Sequence, residues 1–133
     1  MTRVKAAEYQ PLSAANALRR VATGVDPWLC FGQFLDDWRR EPIDRRSALV
    51  SEPLPTVSGG PVRWAALLAG AVDLLCVRDG LPVPPWTRGA EYCLADPWFL
   101  YPGWRLRAWQ LFETPVALRA RNIFAGDRLL ERV

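Results

Sequence analysis

The sequence contains no histidine. That removes the commonest general base near neutral pH and the commonest metal ligand. It also excludes Ser-His and Cys-His nucleophile pairs. Lysine is nearly absent: Lys5 stands against sixteen arginines. The three cysteines, Cys30, Cys76 and Cys93, are far apart and form no Cys-x-x-Cys pair, so no zinc or iron–sulfur site is expected. Buried free thiols in a reducing compartment are the reading for all three. The longest apolar stretch, Trp64 to Val77, is interrupted by Asp73 and is shorter than the roughly 20 residues a membrane span needs. The N-terminus, MTRVKAAEYQPLS, lacks the apolar run of a signal peptide. The expectation is a cytoplasmic protein with no membrane contact. No P-loop and no G-x-G-x-x-G is present, and Ser58-Gly59-Gly60 reads as a turn. Asp36 and Asp37 are neighbours on one helix and point in different directions, a poor joint metal site. No catalytic residue, metal or cofactor is expected.

What is present favours one helical domain. The chain has 133 residues, half of them hydrophobic and 23% charged, with a net charge of +3. That length buries enough surface for a core without metal or disulfide support. Residues 1–11 read as a flexible lead-in and residues 12–133 as a single domain. Ser13 caps a first helix carrying Ala14, Ala17, Leu18 and Val21 inward, ended by Gly24. Asp26-Pro27 starts a second, whose face of Trp28, Phe31, Phe34, Leu35 and Trp38 is core, with Asp36, Asp37, Arg39 and Arg40 opposite. Pro42 opens a short third helix, and EPLPTVSGG (residues 52–60) is a loop. The segment 62–78 is apolar nearly all round, which implies a central helix with others packed about it. Its Asp73 must lie on an exposed edge or meet an arginine, because an unpaired buried carboxylate is costly. Gly80 ends this helix.

Beyond it, Leu81 to Pro85 is extended by its prolines. Thr87 caps a short helix to Leu94, and Pro97 begins another turn. Gly103 to Phe112 is a helix with Leu106, Trp109 and Phe112 inward, and Thr114-Pro115 starts a helix through Arg121 that Asn122 ends in a left-handed turn. Residues 127–133 close the chain as a helical turn. The fold class is therefore all-α: a compact single-domain bundle of about five to seven helices around the central apolar helix 62–78.

The stretch from Pro84 to Phe124 holds four of the seven tryptophans, Trp86, Trp98, Trp104 and Trp109, among Arg105, Arg107, Arg119 and Arg121. Such a block either packs as a second core or presents aromatics to a partner. Interleaved Trp and Arg can stack bases, so a nucleic-acid-binding regulator is one reading. The joint Thr23-Gly24-Val25 suits a helix-turn-helix, but the second helix carries acids and large aromatics where base-reading side chains belong.

The ordered segments FGQFLDDWRR (residues 31–40), RWAALLAGAVDLLCVRDGLPVPPWT (63–87), ADPWF (95–99) and ETPVALRARNIF (113–124) resemble a group of small bacterial proteins common in actinobacteria. These look like antitoxins, and their genes often adjoin those of nucleotidyltransferase-like toxins. The resemblance covers roughly residues 31–133. This chain shows no separate N-terminal helix-turn-helix of the kind some members carry, and it has Arg78-Asp79 where a histidine is often found. The resemblance implies a non-enzymatic protein that binds and neutralises a toxin partner. The candidate interface residues are Trp86, Trp98, Phe99, Arg119, Arg121 and Asn122, which stand in those segments, together with Trp104 and Arg105 from the Trp/Arg-rich block between them. Aromatic anchors beside arginines are the commonest interface hot spots, and the arginines suit a toxin's metal-binding carboxylates.

Overall fold

A computed structural model describes residues 9–131. Its helices are α1 (Ala14–Ala22), α2 (Pro27–Arg40), α3 (Ile43–Arg46), α4 (Pro61–Arg78), α5 (Arg107–Glu113) and α6 (Val116–Arg119). Single 3-10 turns cover Ser47–Leu49, Pro85–Arg88, Ala90–Tyr92 and Trp104–Leu106. The expected helical bundle is what forms, with α4 at its centre. Helix α1, α6 and the turns at 85–92 all pack against α4. From Ala65 to Cys76 every residue of α4 except Leu74 is buried.

The helix ends follow the sequence chemistry. The Ser13 side chain accepts from Asn16 N at 3.1 Å, and that of Asp26 accepts from Trp28 N at 3.0 Å with Pro27 in the first helical position. Helix α4 stops in a Schellman turn. Gly80 takes φ +68°, Gly80 N donates to Val77 O and Leu81 N to Cys76 O. Gly70 lies where α4 meets α6. A Cβ there would stand 2.6 Å from Leu118 Cδ2, and Leu118 has no exposed surface to move into. This is the close approach that the small residues of α4 permit.

Several local expectations give way to tertiary packing. Trp98–Phe99 and Ile123–Phe124 form a two-residue parallel ladder, β1 and β2, pairing Trp98 with Ile123 and Phe99 with Phe124. No strand was expected there. Hydrogen bonds from Leu94 N to Arg121 O, Trp98 N to Asn122 O and Leu100 N to Phe124 O tie the two segments over their length. Asn122 holds the expected left-handed conformation, φ 65°. Thr87 caps no helix: it is buried within a 3-10 turn, where its hydroxyl donates to Pro84 O at 2.8 Å, and Gly89 separates that turn from the next. Thr114 likewise donates back to Gln110 O and accepts from Ala125 N and Gly126 N, so α6 begins at Val116 and ends at Arg119, short of Arg121. At the C-terminus, Glu131 N bonds Arg128 O in a turn, not a helix, and residues 132–133 lie outside the described residues.

The lead-in expected over residues 1–11 is described only from Tyr9, which is anchored. Tyr9 Oη donates to Asp37 and Leu12 N donates to Asp37 Oδ2 at 2.7 Å. Asp37 therefore sits inside, not on the solvent side of α2 as its charge suggested. Trp28, at the other end of that helix, is partly exposed, while Phe31, Phe34, Leu35 and Trp38 form the core as expected.

Asp79 knits the opposite side together. Its Oδ2 accepts from Trp38 Nε1 at 2.7 Å and Arg46 Nη1 at 2.8 Å, and its Oδ1 lies 3.3 Å from Arg78 Nε. A carboxylate at a helix C-terminus opposes the helix dipole, so it needs such donors. Burial pushes its pKa up, but the hydrogen bonds from Trp38, Arg46 and Arg78 outweigh it and hold the carboxyl below its usual value. Because the folded pKa is depressed, this stabilisation is full above the unfolded value of about 4 and is lost as pH falls through the folded value. Asp79→Asn should cost about 1.5–3 kcal/mol at neutral pH in urea unfolding, the range for hydrogen bonds to charged groups. The gap from wild type should close on acidification below about pH 4; a gap that stayed constant would assign the loss to packing.

Cys30 and Cys76 are buried, whereas Cys93 is exposed, against expectation. Gly89 and the 3-10 turns leave Cys93 at the edge of the fold with its thiol 3.7 Å from Ala120 O. Burial, reinforced by the Asp73 and Asp79 charges, pushes the Cys76 thiol up to about 11, and burial raises Cys30 as well. Mass-spectrometric labelling of the native protein at mildly alkaline pH should modify Cys93 alone, with Cys30 and Cys76 reacting only after denaturation.

Candidate functional surface

The tryptophan–arginine block divides into two parts. One part builds the domain. Trp86 packs against the core, meets Tyr92 edge-on at 6.0 Å and donates through Nε1 to Val50 O at 2.9 Å. Trp98 also packs on the core, edge-on to Trp64 at 5.2 Å, with the Arg63 guanidinium over its ring. Asn122 bonds Leu94 O through Nδ2 at 3.1 Å. Arg121 is buried. Its Nη1 donates to Ala117 O at 2.6 Å, and its Nη2 donates to Thr87 O at 2.5 Å and meets Asp73 Oδ2 at 3.4 Å. Arg121 thus supplies the arginine that Asp73 needs. This placement takes it out of the surface set, where its motif position had put it.

The other part faces out. Trp104 is 81% exposed, and Arg105 and Arg119 are exposed. Arg119 Nη1 donates to Leu111 O at 3.1 Å, which lays it along α5. Phe99 is intermediate: it stacks on Phe124 at 4.9 Å, and Arg107 covers it at 4.2 Å. Leu106 and Phe112, expected inside, are exposed, Phe112 by 79%, as are Leu111 and Val116.

The buried face of α5 explains this reversal. It belongs to Gln110, which has no exposed surface. Its Oε1 accepts from Tyr101 N and its Nε2 donates to Tyr101 O, each at 3.0 Å, the pairing a neighbouring strand would supply. Trp109 lies over Gly126, where a Cβ would come within 2.2 Å of its ring at a backbone φ of +71°. Trp109 Nε1 also donates to Asp127 at 3.0 Å. A buried glutamine and a tryptophan on a glycine therefore fix the helix, and the apolar residues at 104, 106, 111 and 112 are left to solvent. A periodicity argument that scores Leu and Phe as inward and Gln as outward inverts this helix.

Below α6 a cavity of about 350 Å³ opens between α4, α6 and the turns at 85–92. Asp73, Arg88 and Arg121 form its charged wall, Val116, Ala117 and Ala120 its apolar wall, and Cys93 and Gly89 complete it. The Arg88 Nε lies 3.5 Å from Asp73 Oδ2, so both arginines meet the same carboxylate oxygen.

Helix α2, whose joint with α1 at Thr23-Gly24-Val25 suits a helix-turn-helix, is buried over most of its circumference. Among the described residues, no group of three His, Cys, Asp or Glu can hold a metal ion, and no helix is long and apolar enough to cross a membrane. Comparisons with protein-family models, curated proteins and solved structures gave no match.

Proposed function

We propose that the chain is a non-enzymatic, antitoxin-like protein that binds and neutralises a protein partner through the α5 surface. The observation that carries this reading is that Trp104, Leu106, Phe112 and Val116 are all exposed within the same short segment, 104–119, that carries the exposed Arg105, Arg107 and Arg119. Large aromatics on a solvated face cost solubility unless a partner covers them. Tryptophan and arginine are the residues that carry most binding energy when covered. The arginines fit an acidic partner surface. The carboxylate cluster of a nucleotidyltransferase-like toxin, which the sequence resemblance suggests, is such a surface.

The anchors in this reading are Trp104 and Phe112, with Arg105 and Arg119 on the rim; Trp86, Trp98, Asn122 and Arg121 hold the domain together behind them. A nucleic-acid partner is the competing reading for the same surface, since Trp104 and three arginines also suit stacked bases.

The test is to recover the chain with its partner from its own cells, identify that partner and measure the complex by calorimetry. Trp104→Ser with Phe112→Ser should weaken binding by at least about tenfold with unchanged thermal stability, because truncated hot spots cost about 2 kcal/mol or more. Arg105→Glu with Arg119→Glu should weaken it further at low salt. Expression of the partner alone should halt growth, and coexpression of the chain should relieve the arrest. A partner that is harmless alone would reject the antitoxin role. Retention of RNA or DNA that falls steeply with salt would favour the nucleic-acid reading.

A further inference from the structure

We propose that the cavity beneath α6 binds a small monocarboxylic acid with a short apolar chain. Its carboxylate would be held by Arg88 and Arg121, and its chain would lie against Val116 and Ala117. This does not depend on the α5 surface having a protein partner.

Charge comes first. Among the residues that line the cavity, two guanidinium groups face one carboxylate, Asp73, which leaves one positive charge in excess in the lining, with the Glu91 carboxylate packed against Gly89 outside it. A single negative charge neutralises that excess. A doubly charged phosphate would bring further negative charge against Asp73, and like charges at close range in a partly desolvated site repel strongly. The site therefore selects a monoanion.

The donors come next. Arg121 is fixed by Ala117 O and Thr87 O, so its guanidinium is oriented before any ligand arrives. Its contact with Asp73, at 3.4 Å, is long for a charge-assisted hydrogen bond. Arg88 approaches Asp73 at 3.5 Å through Nε, and its two Nη groups make no hydrogen bond among the described residues. Neither arginine is engaged in the two-pronged pairing that guanidinium and carboxylate adopt when both are free to do so. Arg88 is mostly exposed and can turn its fork to an incoming carboxylate.

The remaining wall gives the chain of the acid a place. Val116, Ala117 and Ala120 present small apolar groups next to the arginines. Val116 is 72% exposed and gains burial when such a chain covers it. A volume near 350 Å³ lies at the small end of ligand clefts and suits a short branched chain over a large cofactor.

Cys93 lines the same cavity and is its reporter. Alkylation of Cys93 in the full chain by iodoacetamide, which is uncharged, would be followed by mass spectrometry in chloride, acetate, isovalerate and phosphate at equal ionic strength. Isovalerate should slow the reaction several-fold and saturably, acetate less, and phosphate not at all. Arg88→Gln, a substitution at an exposed position, should abolish the protection when each anion is compared with that variant's own rate in chloride. Amide resonances of Gly89 and Ala117 should shift on the same isovalerate titration. Absence of both protection and shifts, equal protection by phosphate, or undiminished protection in Arg88→Gln would overturn the proposal.

Discussion

The fold depends on the burial of α4 on nearly every side. A helix that is apolar all round cannot be covered by one neighbour, and this chain has few long helices to offer. Helix α1 covers part of it, and Trp28 of α2 meets Trp64 near its start. The rest is covered by short, proline-punctuated pieces between residues 81 and 131. Those pieces are held less by their own helical propensity than by specific polar contacts: Trp86 to Val50, Asn122 to Leu94, Gln110 to Tyr101 and Thr114 to the backbone of Ala125 and Gly126.

Asp73 shows how one polar residue in such a helix shapes its surroundings. A carboxylate in the wall of the core requires a cation, and α6 with the turn after it supplies Arg121 from 48 positions away. Arg121 in turn bonds the carbonyls of Thr87 and Ala117, so two loops and a helix are fixed by a single guanidinium. Asp37 does similar work at the other end, where it accepts from Tyr9 and from Leu12 N. In both places a charge that composition alone assigns to the surface is part of the interior.

The first two-thirds of the fold was legible in the sequence because its signals are local. Ser13, Asp26 and Gly80 mark helix ends through hydrogen bonds within a few residues, Pro27 and Pro61 mark helix starts through their fixed φ, and the apolar run of α4 states its own burial. The last third was not, because its conformation is set by distant pairings. The ladder of Trp98–Phe99 with Ile123–Phe124 is two residues long and leaves no alternating pattern to read. Buried Gln110 gives helix α5 the opposite orientation from the one its leucine and phenylalanine suggest. The same split runs through the candidate surface. Trp104, Arg105 and Arg119 lie outside as the sequence suggested, while Arg121 is spent on Asp73, a residue no local pattern connects to it.

The short ladder has one more consequence. Its hydrogen bonds join Leu94–Leu100 to Arg121–Phe124, so the chain that carries α5 departs from and returns to almost the same place, with α6 packed on α4 on the way back. For evolution this makes the exposed side chains around α5 a variable face on a helix that Gln110, Trp109 and Thr114 hold in place. Trp104, Leu106, Phe112 and Val116 can be exchanged for other residues without touching the packing around α4. A lineage of such proteins can thus vary the surface it presents while its core stays as it is.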